Sequence, residues 1–291
     1  MITNPRLGCS LLTVVLIVAV STACAPSMHG RLPRGDWDVA ASGTTHGTEV
    51  RYLTLERVEP VEPPATALAR LLAFLDEVGP AWRMPERIDY YAFPDRATLR
   101  TLTGYDTNAR ALLAHDATIS IHAADAHEIM HLLTTPTERP LRLATFWMEG
   151  IAMYYTWPEV YLDAETLAET GLPPRLGAWH GQTVHGNARA IRQRGDLPAL
   201  RPLVHGDRAF TALPSAVSYP VAGSFVTHLL GPGHDDVSRI AAFRTFLADA
   251  NVASDTAGVL LAFERHLGIT LAEAESSWHA FLDDWDEDTA K

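Results

Sequence analysis

The sequence predicts an α+β protein: an N-terminal mixed sheet with helices packed on an α-helical C-terminal half. Three observations carry that reading. Short segments of alternating apolar residues stop at His122; from Ala124 onward apolar residues recur mainly at helical spacing; and helix start and stop signals gather towards the C-terminus.

The first strand is read over Val50–Val58, from the loose alternation of Val50, Tyr52 and Leu55. Ala65–Val78 predicts a helix, with Leu68, Leu71, Leu72 and Leu75 on one face and Gly79-Pro80 to stop it. Arg87–Phe93 follows as a strand, Arg96–Leu102 as a short helix, and Thr118–His122 as a strand alternating on Ile119 and Ile121. Near the C-terminus, Asp255–Leu267 predicts a helix closed by Gly268, and Thr270 with Glu273 has capping-box spacing ahead of a last helix over Leu271–Trp285. No internal repeat or low-complexity tract interrupts the chain, so one domain is expected over residues 36–291, its α+β part ending near residue 135.

The chain has 291 residues, 47% hydrophobic and 20% charged, which suits a globular domain with a substantial core. Its formal charge is -12, its only lysine is Lys291, and no basic stripe is present, which argues against nucleic acid as a partner.

The N-terminus reads as a leader over residues 1–23. Arg6 precedes an apolar run from Leu11 to Val20, too short to span a bilayer, followed by the small residues Ser21, Thr22 and Ala23. Cys24 comes next, and the segment resembles a bacterial lipoprotein signal. That resemblance implies export, lipidation at Cys24, and a membrane-anchored location in the cell envelope; a plain signal peptide is the alternative. Residues 24–35 would be anchor and tether, being rich in Pro, Gly and Ser from Ala25 to Gly35. The only cysteines, Cys9 and Cys24, lie in this region, so any metal in the domain must be held by His and carboxylate side chains.

One constellation carries chemistry. His127-Glu128-Ile129-Met130-His131 is an H-E-x-x-H segment. On a helix, residues four apart share a face, so His127 and His131 can converge on one ion while Glu128 reaches a water beside it. Ala126, Ile129, Met130 and Leu133 form a separate apolar face, Asp125 is placed to cap the helix, and Thr134-Thr135-Pro136 ends it. A chance match in a chain with 13 histidines is the plain alternative. A third ligand is available in Glu149, inside the apolar segment Phe146-Trp147-Met148-Glu149-Gly150-Ile151, on a helix that Pro158 would close. A carboxylate in such surroundings is costly unless it is paired or metal-bound; a solvated glutamate at a helix start is the alternative. Gly150 would let the two helices approach closely.

His127-Glu128-x-x-His131 followed by Trp147-x-Glu149-Gly150-x-Ala152 resembles the gluzincins, the peptidase MA-like group related to thermolysin and the aminopeptidases. Tyr219 to Val226 resembles a later helix of these proteins, and Gly268 through Trp278 and Leu282 their C-terminal end, so the likeness runs from about Ile88 to Leu282. The resemblance implies a zincin-like fold, Zn2+ held by His127, His131 and Glu149, and hydrolysis of a peptide or protein substrate with Glu128 as general base. It implies a tyrosine or histidine downstream as oxyanion donor: Tyr219 first, ahead of Tyr154, Tyr155, His180, His185, His228 and His234. It also implies that Thr118–His122 is the sheet edge along which substrate lies. The Gly-x-Met-Glu-Asn segment with which aminopeptidases grip a free N-terminus is missing, which points to an endopeptidase. The alternative is a catalytically inactive or partner-binding surface lipoprotein on the same scaffold.

Overall fold

A hairpin begins the sheet. Strand β1 (Trp37–Thr45) turns into β2 (Thr48–Leu55) through His46 and Gly47, both at positive φ (47° and 81°), the two-residue turn whose twist matches antiparallel strands. The computed structural model describes residues 31–56, 58–60, 62–135, 142–156, 178–179, 182–231 and 236–286. The segment read as a leader, Cys24, Pro136, Pro158, His180 and His234 lie outside them.

From β2 the chain crosses through helix α1 (Pro64–Val78) into β3 (Arg87–Ala92), parallel to β2. The crossover is a helix because Leu68, Leu71 and Leu75 share one buried face, and Pro at its first turn costs no hydrogen bond. Helix α2 (Arg96–Thr103) is capped by the Asp95 side chain and ended by Gly104 at φ 81°. Strands β4 (Ala109–Leu112) and β5 (Ala117–Ser120) complete a mixed sheet in the order β1-β2-β3-β5-β4.

That order corrects one expectation. The strand read over Thr118–His122 ends at Ser120 and lies inside the sheet, parallel to β3 on one side and antiparallel to β4 on the other. The edge strand on this side is β4. Alternation in a segment reports that its two faces are buried; it carries no information about strand order.

The sheet separates two apolar layers. Val50, Tyr52, Ile88, Tyr90 and Ala111 face the main core with α1 and the later helices. Leu53, Tyr91, Phe93, Leu112 and Ile119 face a smaller layer closed by Leu99 of α2 and by Trp37.

After the sheet come α3 (Ala126–Thr134), α4 (Thr145–Tyr154) and a short pair of strands, β6 (Ala178–Trp179) and β7 (Gln182–Thr183). Then follow α5 (Val184–Gln193), α6 (Arg208–Thr211), α7 (Ser215–Leu230), α8 (Val237–Val252), α9 (Thr256–Leu267) and α10 (Leu271–Asp284). The α+β division expected from the sequence is therefore the one observed. Gly268 at φ 73° ends α9, and the Thr270–Glu273 capping box begins α10. Among the described residues no helix is long and apolar enough to cross a membrane.

Helix α4 is the centre of the helical half. All ten of its residues are buried, as expected for a helix apolar all round. Its first turn is held by Asp207, whose Oδ1 accepts from the Thr145 amide (2.9 Å) and hydroxyl (2.6 Å). The Trp147 indole donates to the Val204 carbonyl at 3.0 Å and packs among Phe225, Phe243, Phe246 and Phe263.

Gly150 does serve a close helix approach, but to α7 rather than α3: a Cβ there would meet Val226 and the Ala222 carbonyl. Helix α7 starts at Ser215, five residues ahead of Pro220, so Tyr219 lies within the helix. Pro220 is tolerated inside it because the buried α4 and α5 faces fix this helix by packing.

Candidate metal centre

The candidate site forms where α3 and α4 cross. Helix α3 starts at Asp125, whose Oδ1 accepts from the Glu128 amide at 3.3 Å and whose Oδ2 accepts from the Ser120 hydroxyl at 2.8 Å. The cap thus ties the first turn of α3 to the end of β5. The helix turns Ile129, Met130 and Leu133 into the core and brings His127 and His131 to the side facing α4.

Glu149 of α4 meets them there. Its Oε2 is 3.0 Å from His127 Nε2 and 3.4 Å from His131 Nε2, and the two Nε2 atoms are 3.2 Å apart. His131 and Glu149 are 0% exposed. Three donors arranged around one zinc ion at about 2.0–2.1 Å, tetrahedrally, would lie roughly 3.3 Å from one another, so the observed triangle is the size a single ion requires. Two imidazoles and one carboxylate are also a donor set that leaves a fourth position open.

Two further atoms argue the same way. Glu149 Oε1 and Glu128 Oε2 are buried and have no hydrogen-bond partner among the described residues. Orphaned carboxylate oxygens at the core of a fold are costly, and a cation at this point offsets the cost. The site fits zinc.

The electrostatics of the three side chains follow from their contacts. Burial opposes charge on His127, but the bond to Glu149 outweighs it and raises the imidazole to about 9. Burial likewise opposes charge on Glu149, and is overcome by His131 and His127, which bring the carboxylate down to about 2. His131 is held below its ordinary value by burial, even though it also faces Glu149. The two histidines differ in distance, His127 making the shorter contact with Glu149. Glu128 is pushed well above the carboxylate range by burial and then by Asp125, with the Ala111 amide of β4 acting in the opposite direction. That amide points from β4 towards Glu128, so the outer edge of β4 borders the site.

Tyr219 approaches from α7, its ring centroid 6.2 Å from that of His127 and the planes 30° apart. Four of the other candidates, Tyr154, Tyr155, His185 and His228, have structural contacts. Tyr154 donates to the Gly231 carbonyl (3.2 Å), and the Tyr155 hydroxyl accepts from the Trp82 indole (3.0 Å). His185 is buried against Ser224, Phe281 and Trp285, and His228 faces Ser277 and Phe281. Sequence reasoning passed over Asp207, which anchors the start of α4, and Thr156, whose Oγ1 is 3.2 Å from His127 Nδ1. Thr156 stands seven residues after Glu149, a spacing that returns to the same helix face and could have drawn attention to it.

No protein-family model matches the chain, and no curated protein does. Among solved structures it is similar to an M1 zinc metallopeptidase from Deinococcus radiodurans, at 17% identity with a TM-score of 0.47. A variant of that peptidase bound to a Tyr-Ser-Ala substrate is similar at 16% identity, again with a TM-score of 0.47. Both likenesses cover 85% of this chain and 51% of the other, so the chain spans about half the length of these peptidases.

Proposed function

We propose that the chain is a zinc-dependent peptide hydrolase of the gluzincin type, acting within peptide chains. The observation that carries this reading is the buried triangle of His127, His131 and Glu149 with the Glu128 carboxylate beside it.

In this reading His127 and His131 from α3 and Glu149 from α4 hold zinc, which when bound supplies a Lewis acid to polarise the scissile carbonyl and acidify the attacking water. Glu128 takes the proton of that water. The Glu128 carboxylate, buried beside the triangle, then passes that proton to the leaving amine. Tyr219, whose ring faces that of His127, donates to the developing oxyanion. An extended peptide would add along the outer edge of β4, the side on which the Ala111 amide meets Glu128. Internal cleavage is favoured because the sequence lacks the Gly-x-Met-Glu-Asn segment that would grip a free N-terminus. Cys24, following the leader, would anchor the domain to a membrane and direct it to peptide substrates in the cell envelope.

Cleavage of an unstructured protein such as casein by the zinc-loaded protein and by Glu128→Gln tests the reading. The variant is expected to keep its zinc and lose about 10²–10⁴ in rate. Equal activity in the two proteins would remove Glu128 from the chemistry. Zinc binding without cleavage of any unstructured substrate would favour a partner-binding protein on this scaffold.

A further inference from the structure

We propose that Thr156 is a positioning residue for the metal centre, fixing the tautomer and orientation of His127; this rests on the metal-binding reading of the site. Thr156 is buried and lies two residues beyond the end of α4, the helix that carries Glu149. Its hydroxyl donates to the Ala152 carbonyl at 2.7 Å, and its Oγ1 is 3.2 Å from His127 Nδ1.

A threonine hydroxyl has one proton. With that proton on the Ala152 carbonyl, the oxygen faces His127 as an acceptor, so Nδ1 carries hydrogen and donates to it. The chain of bonds runs from the Nδ1–H of His127 to Thr156 Oγ1 and on to the Ala152 carbonyl. Nε2, on the opposite side of the ring, is left to present its lone pair to the point where Glu149 Oε2 and His131 Nε2 converge. A metal ligand needs that tautomer, and a partner on the second nitrogen both selects it and stops the ring from turning.

The two ligand histidines differ in this respect. His131 Nδ1 is buried without a hydrogen-bond partner among the described residues, so its ring is held by packing, whereas His127 is held by a directional bond. Because the Thr156 hydroxyl and Glu149 belong to the same stretch of chain, α4 supplies one ligand directly and orients another. A shift of α4 would move both together.

The test is zinc affinity, measured by competition with a chromophoric chelator, for wild type, Thr156→Val and Thr156→Ser, with the unfolding midpoint of each metal-free protein beside it. Valine keeps the shape and removes the hydroxyl; serine keeps the hydroxyl. Thr156→Val is expected to bind zinc about 10–100-fold more weakly, with Thr156→Ser close to wild type and the metal-free midpoints of the two variants alike. In the zinc-loaded wild type, nitrogen-15 NMR of the His127 ring is expected to show the proton on Nδ1. Wild-type zinc affinity in Thr156→Val would overturn the proposal and leave the metal site standing. So would a loss of affinity in both variants that follows their loss of metal-free stability, since that describes a packing role. Absence of zinc binding in the wild type would remove the metal reading itself, a distinguishable result.

Discussion

Gly150 and Ala222 pack so closely that a Cβ on Gly150 would stand 2.9 Å from the Ala222 carbonyl oxygen, and 2.6 Å from Val226 Cγ2. The approach is reciprocated one residue along α7, where a Cβ on Gly223 would stand 2.7 Å from Met153 Cβ. These contacts set how deeply α4 sits between α7 and α3, and so the position of Glu149, the neighbour of Gly150. Gly150→Ala is therefore expected to lower stability by about 1–3 kcal/mol through overpacking and to weaken zinc binding with it. Urea unfolding and zinc titration check this. A variant as stable as wild type would mean that the two helices are free to separate.

Tyr219→Phe bears on the oxyanion donor. The substitution keeps the ring that faces His127 and Phe210 and removes the hydroxyl. Turnover is expected to fall about 10²–10³-fold at unchanged zinc content. Full activity would assign the donor to another group.

The pH dependence of stability has an identifiable source away from the metal. The Trp278 indole donates to Ser224 Oγ at 2.9 Å, and the same oxygen lies 2.9 Å from His185 Nδ1. Burial, and then His228, brings His185 down to about 3, while Phe281 and Trp285 enclose its ring. A group whose folded value is depressed binds protons more readily when unfolded. Its stabilising contribution is present above about 6.5, the unfolded value, and is lost as pH falls towards 3. At pH 5 the loss is about 2 kcal/mol. In metal-free protein the difference between wild type and His185→Asn, whose amide can meet Ser224 in place of Nδ1, isolates this effect. The variant should lose stability less steeply below pH 6.5; parallel curves would show that His185 is not responsible.

How much of this was legible in the sequence depends on how local each feature is. His127 and His131 face one way because helical periodicity alone sets their relation, and Glu149 is conspicuous as a charge in an apolar helix. The capping box of α10 and the glycine end of α9 are equally local. Strand order is not local. β5 was expected at the edge, and β4, four residues long, gave no alternation strong enough to be noticed. The start of α7 is not local either: it runs through Pro220 from Ser215, held by contacts with α4 that only the fold supplies. The partner of Gly150 was misassigned for the same reason. A glycine announces a close approach without saying to what.

The most direct test of the account is the zinc content of protein produced from Ala25 onward, for wild type and Glu149→Ala side by side. About one zinc per chain in the wild type, lost or greatly weakened in the variant, is the expected result. A wild-type protein that takes up no zinc even after reconstitution, or a variant that holds it equally well, would contradict the three-ligand centre.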